Sequence, residues 1–298
     1  MPLWVGAALI GALAQTGRNA MQASLTAAIG TVGATQVRFL FGLPFALLFL
    51  LGHWLLTGAA VPVPGAATLG WTVAGSLAQI AATALMLKVM QSRGFGVTTA
   101  WLKVEPVLVA LLGAVILGDV LAPGAVLAIA VAVAGVLILS VKPGQGIARF
   151  FDGGPAALGL LAGLAFGIAA IGFRGGITSL PEGSFLNRAL TVLVLSLAVQ
   201  AGLLLIWMVI ADRRALAGSF AVWRSSLGAG FLGAFASAFW FIGFSLTSAA
   251  NVRTVALVEV IFAQIVATFV FRQSVTKRQL LGMAVMLAGV ATLMQQQG

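Results

Sequence analysis

The chain has 298 residues, 61% of them hydrophobic and 7% charged, with a mean hydropathy of +1.13 and a formal net charge of +10. A soluble domain carries about 25% charged and 45–50% apolar residues, so a water-soluble globule is excluded and lipid is the solvent for most of the chain. There is no cysteine and a single histidine, His53, which excludes disulfides, thiolate chemistry and a histidine-built metal site within one chain.

A membrane-crossing helix needs about 20 mostly apolar residues. The opening MPLWVGAALIGALA lacks a basic n-region and reads as the first spanning helix, over 3–22, and not as a cleaved signal. The second and third spans are expected at 32–52 and 69–89, separated by GHWLLTGAAVPVPGAA. The fourth and fifth fall at 96–117 and 122–141. A sixth at 155–174 carries Gly159, Gly163 and Gly167 on one face, the spacing that lets helix backbones approach closely in lipid. Segments 184–211, 225–246, 252–271 and 278–296 bring the number to ten. Ten spans use about 200 residues, which leaves short connections and no room for a soluble catalytic or ligand-binding domain.

Polar residues inside the spans fall in stripes. Gln15, Asn19 and Gln22 share one face of the first helix, and Ser76, Gln79 and Thr83 one face of the third. In lipid such a face turns inward, to hydrogen-bond a neighbouring helix or to line a wet cavity. Glu105 and Glu259 lie near the middles of the fourth and ninth spans. A carboxylate at that depth costs several kcal/mol and normally faces an aqueous cavity or a partner, so each is a candidate proton carrier or ligand for a substrate ammonium. The alternative is a structural ion pair: Lys103 and Arg253 are near in sequence, although neither has the i±3 or i±4 spacing of a shared helix face. Pro106 removes a backbone donor beside Glu105 and frees a carbonyl. Trp101 is one turn before Glu105, where an indole face can hold a cation or fill space, and Gln264 lies about one turn beyond Glu259. Arg18, Arg38, Arg174 and Arg188 sit toward expected helix ends, with headgroup snorkelling as the ordinary reading. For Arg18 the alternative is attraction of an anionic group at a cavity mouth.

Internal symmetry carries the most information. A shift of 154 residues lays VTTAWLKVEPVLVALL over NVRTVALVEVIFAQIV without a gap, Glu105 on Glu259 and Gly135 on Gly289. A duplicated five-helix unit follows, with 1–141 as the first copy, 142–154 as the connection and 155–298 as the second. Five is odd, so the second copy enters the membrane from the opposite side. Such inverted repeats are typical of secondary transporters, with the site near the midplane where the copies meet. The fold class expected is an all-α membrane protein of ten helices in two inverted repeats around a central cavity. Under the shift, Ser76, Gln79, Thr83 and Met86 map to Gly230, Gly233, Ser237 and Trp240, so one half offers polar groups and the other small residues and an indole.

The stretch AWLKVEPVLVALLGAVILGDVLAPGAVLAIAVAVAGVLIL resembles the drug/metabolite transporter superfamily, and in particular its EamA-type ten-helix members. Glu105–Pro106 looks like that family's Glu–Pro pair, Gly118–Asp119 like its Gly–Glu and Gly135 like its fifth-helix glycine. The second copy departs from the pattern, with Val260 in place of the proline and Arg272–Gln273 in place of the Gly–acid pair. The resemblance implies export of small metabolites, amino acids being a common assignment, through a cavity between the repeats.

Lys and Arg concentrate in the third, fifth, seventh and ninth loops, among them Lys88, Lys142, Arg149, Arg213, Arg214 and Arg278. The positive-inside rule then puts those loops in the cytoplasm and both termini outside. The chain therefore reads as a multi-pass protein of a bacterial inner membrane that exports amino acids or similar metabolites by alternating access. It needs the bilayer and a small-molecule substrate, uses protons as a possible coupling ion, and has no expected cofactor, metal or nucleic-acid partner. The candidate substrate-binding residues are Gln15, Asn19, Ser76, Gln79, Thr83, Trp101, Glu105, Ser237, Trp240, Glu259 and Gln264. Alternatives are a carrier for a cationic drug, vitamin or nucleotide sugar, and a non-transporting membrane subunit. A scarcity of buried positive charge is expected to disfavour phosphorylated cargo, and the lack of a recognisable catalytic dyad argues against an enzyme.

Overall fold

The computed structural model describes residues 2–93, 101–140, 153–269 and 275–296, and every regular element among them is helical. The expected start of the fourth span at 96–100 lies outside the described residues, as do 142–152 with Lys142 and Arg149, the pair Arg272–Gln273, and 297–298.

In chain order the helices are α1 (Leu3–Leu40), α2 (Leu43–Thr57), α3 (Ala66–Arg93), α4 (Glu105–Leu112) and α5 (Pro123–Ser140). They continue as α6 (Gly154–Thr178), α7 (Phe185–Ala211), the short α8 (Arg213–Ala221), α9 (Trp223–Leu246), α10 (Ala249–Val255), α11 (Glu259–Phe269) and α12 (Lys277–Gln295). Among the described residues six stretches are long and apolar enough to cross a membrane, and the first, Leu3–Thr57, has 55 residues. Straight, it would measure about 80 Å, more than twice the ~30 Å hydrocarbon core, so it has to fold back. It does so at Gly30, whose φ of 73° is reached without steric cost only by glycine. Across the bend, Gln22 Nε2 donates to the Ala34 carbonyl at 2.8 Å, whereas an unbroken helix would hold these residues about 18 Å apart. The first limb of α1 thus runs well past the expected end at residue 22.

Three helix pairs dominate the packing: α1 with α9, α3 with α6, and α5 with α12. In the last pair the contacts are reciprocal. A Cβ at Gly135 would strike the backbone of Gly282 and Met286, and one at Gly289 the backbone of Ala128 and Ala132. Residues 128 and 132 precede 282 and 286 by 154, the interval that separates Gly135 from Gly289. The glycine stripe on α6 is a seat: Gly159 faces Trp101, Gly163 faces Leu102 and Gly167 faces Val109.

The outside is apolar, and the polar and charged groups of the spans are gathered inside. On α2 only Ala46 is buried, while Leu47, Leu48, Leu51, Leu55 and Leu56 face outward. Arg18, Asn19, Gln22, Arg38, Gln79, Gln200 and Glu259 are buried within the bundle. That inversion fits a chain solvated by lipid, in which a polar group is costly on the outer face and tolerable only where it finds partners.

Both acids sit at breaks. Trp101 and Leu102 are helical, Lys103 and Val104 form a turn, and α4 starts afresh at Glu105. In the second half α10 ends at Val255, a 3₁₀ turn covers Ala256–Val258, and α11 starts at Glu259. Pro106 accounts for the first break, because it offers no N–H to the preceding turn. Each carboxylate thereby stands at a helix N-terminus, the end at which a negative charge is favoured.

Candidate functional site

The charged residues of the bundle meet where these breaks lie. Glu259, with 1% of its surface exposed, is the most fully engaged. Lys103 Nζ donates to its Oε2 at 2.7 Å, Gln15 Nε2 to the same oxygen at 3.2 Å, and Asn19 Nδ2 to Oε1 at 3.4 Å. Gln15 is held in turn by Trp240, whose Nε1–H donates to Gln15 Oε1 at 3.0 Å. The same indole lies under Arg253, with the guanidinium carbon 4.9 Å from the ring centroid and 5.5 Å from that of Phe244. Arg253 Nε then comes within 3.0 Å of Glu105 Oε1, an ion contact that lacks the alignment of a hydrogen bond.

The sequence analysis weighed Lys103 and Arg253 as partners only along their own helices. The structure pairs them crosswise: the lysine of the first half holds the acid of the second, and the arginine of the second meets the acid of the first. A helix-face argument cannot see such a pair, because the partner comes from a different helix.

Two further cations are present that snorkelling was expected to carry to the headgroups. Arg18 and Arg38 are 1% and 2% exposed. For Arg18 the reason is helix length: the first limb continues some seven residues beyond the expected end, about 10 Å more, which moves Arg18 from an end to the interior. Arg18 donates from Nε and Nη2 to Asn19 Oδ1, and Arg38 Nη1 donates to Thr83 Oγ1 at 3.2 Å. The expected scarcity of buried positive charge is therefore corrected: among the described residues of this cluster four cations stand against two carboxylates, an excess of two.

The third-helix stripe divides. Thr83 belongs with Arg38, whereas Gln79 accepts from Gln200 Nε2 at 2.8 Å and Ser76 Oγ donates to the Ser196 carbonyl at 3.4 Å. Ser76 and Gln79 thus face α7, and Gln200 is a partner the sequence reading did not single out. Its signal was present, a lone glutamine in the otherwise apolar second half of the seventh span, residues 197–211. Ser237 is buried on α9. Trp101 clusters with Val89 and Ala156 over Gly159, and the turn at Lys103 breaks the helix face it was expected to share with Glu105. Gln264 accepts from Gln279 Nε2 at 3.3 Å in the first turn of α12.

A wet central cavity was expected here; these side chains meet one another directly, with Arg18, Arg38 and Glu259 almost wholly buried and the side chains of Lys103 and Glu105 keeping 11% and 14% exposure. Two cavities on the flanks, one lined by Lys88, Gln91 and Pro155 and one by Leu3, Ile10 and Phe239, are bordered by none of the charged residues of this cluster. Toward one end of the bundle, Arg174 Nη2 meets Asp119 Oδ1 at 3.0 Å and Nη1 donates to the carbonyls of Phe244 and Thr247. Arg174 and Asp119, also placed by sequence at helix ends, thus tie the loop after α4 to the end of α9. Among the described residues no cluster of metal-ligating groups is found.

Residues 155–295 match the model of the EamA-like transporter family. The chain also superposes on a protein solved by crystallography with a TM-score of 0.71 at 16% identity, over 98% of this chain and 96% of that one, which shows a shared fold. Twenty-eight solved chains match in all. No curated protein matches.

Proposed function

We propose, from the match of residues 155–295 to the EamA-like transporter family, that the chain is a secondary carrier exporting small metabolites, amino acids foremost, by alternating access. In this reading ten spans form two inverted five-helix repeats, 1–141 and 155–298, in a bacterial inner membrane with both termini outside and protons as the coupling ion. The observation that carries the reading is the crossed pairing of Lys103 with Glu259 and Arg253 with Glu105. These pairs join the halves at the two helix breaks, and discontinuous helices at half depth are where such carriers bind their solutes. The reciprocal Gly135 and Gly289 contacts support the two-fold relation. A closed centre is the occluded stage of the cycle. A solute that competes for the acids or their cations loosens the pairs and lets the halves part toward one side or the other.

The test is flux. Purified protein in liposomes is expected to move labelled amino acids, faster with a proton gradient, and Glu259→Gln to abolish that movement. If no amino acid or related solute crosses under either condition, the transport reading fails. Unchanged flux in Glu259→Gln would remove the crossed pairs from the mechanism. A tag on the C-terminus that reacts with an impermeant reagent in intact cells fits the assigned orientation, and a protected tag reverses it.

A further inference from the structure

We propose that the transported solute is an organic acid whose anionic oxygen group docks between Arg18 and Arg38. This deepens the transport reading above and rests on it. Both arginines are nearly fully buried, at 1% and 2% exposure. Among the described residues neither has an acid within ion-pair distance, because Glu259 is taken by Lys103 and Glu105 by Arg253. Their partners are neutral, the Asn19 carbonyl oxygen for Arg18 and the Thr83 hydroxyl for Arg38. Each keeps a buried nitrogen without a partner, Nη1 on Arg18 and Nε on Arg38.

The two side chains leave different limbs of α1 and converge on one residue of α9. A Cβ built on Gly233 would lie 3.1 Å from Arg38 Cγ and 3.5 Å from Arg18 Cδ. Glycine at that position therefore makes room for both stems. Glu259 attracts Arg18 from beyond ion-pair distance, but Arg18 and Arg253 both repel Arg38, and Arg253 repels Arg18. Two cations without an ion pair of their own in a membrane interior are costly, and such groups ordinarily serve a pathway or a ligand. An anion between them supplies the missing charge and accepts from the unpaired nitrogens. The planar guanidinium fork suits a carboxylate or a phosphoryl group better than a point charge does. An excess of two positive charges favours a dicarboxylate or another dianion over a cation, for which both carboxylates are already occupied.

Binding by the full-length protein in detergent, measured by calorimetry at constant ionic strength, tests this with three probes: succinate, inorganic phosphate and tetraethylammonium. At least one of the two anions is expected to bind and tetraethylammonium to give no heat. If succinate is the tighter, the docked group is a carboxylate; if phosphate is, it is a phosphoryl group. Arg38→Gln and Arg18→Gln are each expected to weaken the anion about tenfold or more, the loss of a charged hydrogen bond to a buried group. Arg38→Lys keeps the charge without the fork and should bind between wild type and Arg38→Gln, which holds the test open if the glutamine variant does not fold. Arg213→Gln, on an exposed turn, should bind as wild type does. The proposal is overturned if folded wild type binds neither anion, or if both arginine variants bind them unchanged. Flux of a cation in liposomes beside a failed anion titration would leave the carrier standing without this site. Anion binding without flux of any solute would do the reverse.

Discussion

Glu105 and Glu259 occupy equivalent positions under the 154-residue interval, each opening a helix after a break, yet they are held in unlike ways. Glu259 accepts hydrogen bonds from Lys103, Gln15 and Asn19 and is 1% exposed. Among the described residues Glu105 has one cation within ion-pair distance, Arg253, whose Nε is near but misaligned, and its side chain keeps 14% of its exposure. The difference traces to the cations. Where the first half has Lys103 the second has Leu257, and where the second has Arg253 the first has Thr99. Both breaks carry an acid at the start of a helix, while the residues around them set how each acid is held. Glu259 is built to stay fixed until something displaces Lys103. Glu105 is free to exchange its partner with little loss.

The largest effect should come from the fixed end. Glu259→Leu strands a buried ammonium, and removing one partner of a buried pair costs about 3–5 kcal/mol. Thermal unfolding in detergent should show it as a clear drop in the midpoint, together with loss of flux. Glu105→Leu strands Arg253, but the faces of Trp240 and Phe244 still hold that guanidinium, each cation–π contact contributing about 0.5–2 kcal/mol. Its midpoint should fall by less. If Glu105→Leu proves the more damaging, the comparison is inverted.

A finer measure is the coupling within each pair. Lys103→Met combined with Glu259→Gln forms a double-mutant cycle across a 2.7 Å contact, and its interaction energy should lie toward the upper end of the range of about 0.5–3 kcal/mol. The corresponding cycle with Arg253→Met and Glu105→Gln should lie toward the lower end. Equal couplings would mean that the misalignment of Arg253 has no energetic weight.

The all-helical class was readable because lipid leaves few solutions: long apolar runs must be helices. The close packing at the α6 glycine stripe followed from small-residue spacing, whereas Gly135 and Gly289 were matched only by the 154-residue shift. What the sequence hid was partnership between helices. Arg18 and Arg38 were read as snorkelling because helix ends were placed by hydropathy, and an amphipathic cation near an end is ordinarily satisfied by headgroups. The fold-back at Gly30, without a charged loop to announce it, lengthened the first limb and left Arg18 inside it. Trp101 was misplaced for the opposite reason, because the turn before Glu105 interrupts a helix that the pattern treated as continuous.

Trp240 touches both ends of this comparison and so gives its most delicate test. Its Nε1–H holds Gln15, which donates to Glu259, and its ring face holds Arg253, which meets Glu105. Trp240→Phe removes the donor but keeps an aromatic face. The expected cost is about 1 kcal/mol, that of one neutral hydrogen bond, with flux slowed and not abolished. Trp240→Leu removes the face as well and should add a further cation–π contribution of similar size. If the phenylalanine variant behaves as wild type and the leucine variant does not, the indole acts only through Arg253. The two acids are then coupled by charge alone, and the hydrogen-bonded chain from Trp240 through Gln15 to Glu259 has no part in linking them.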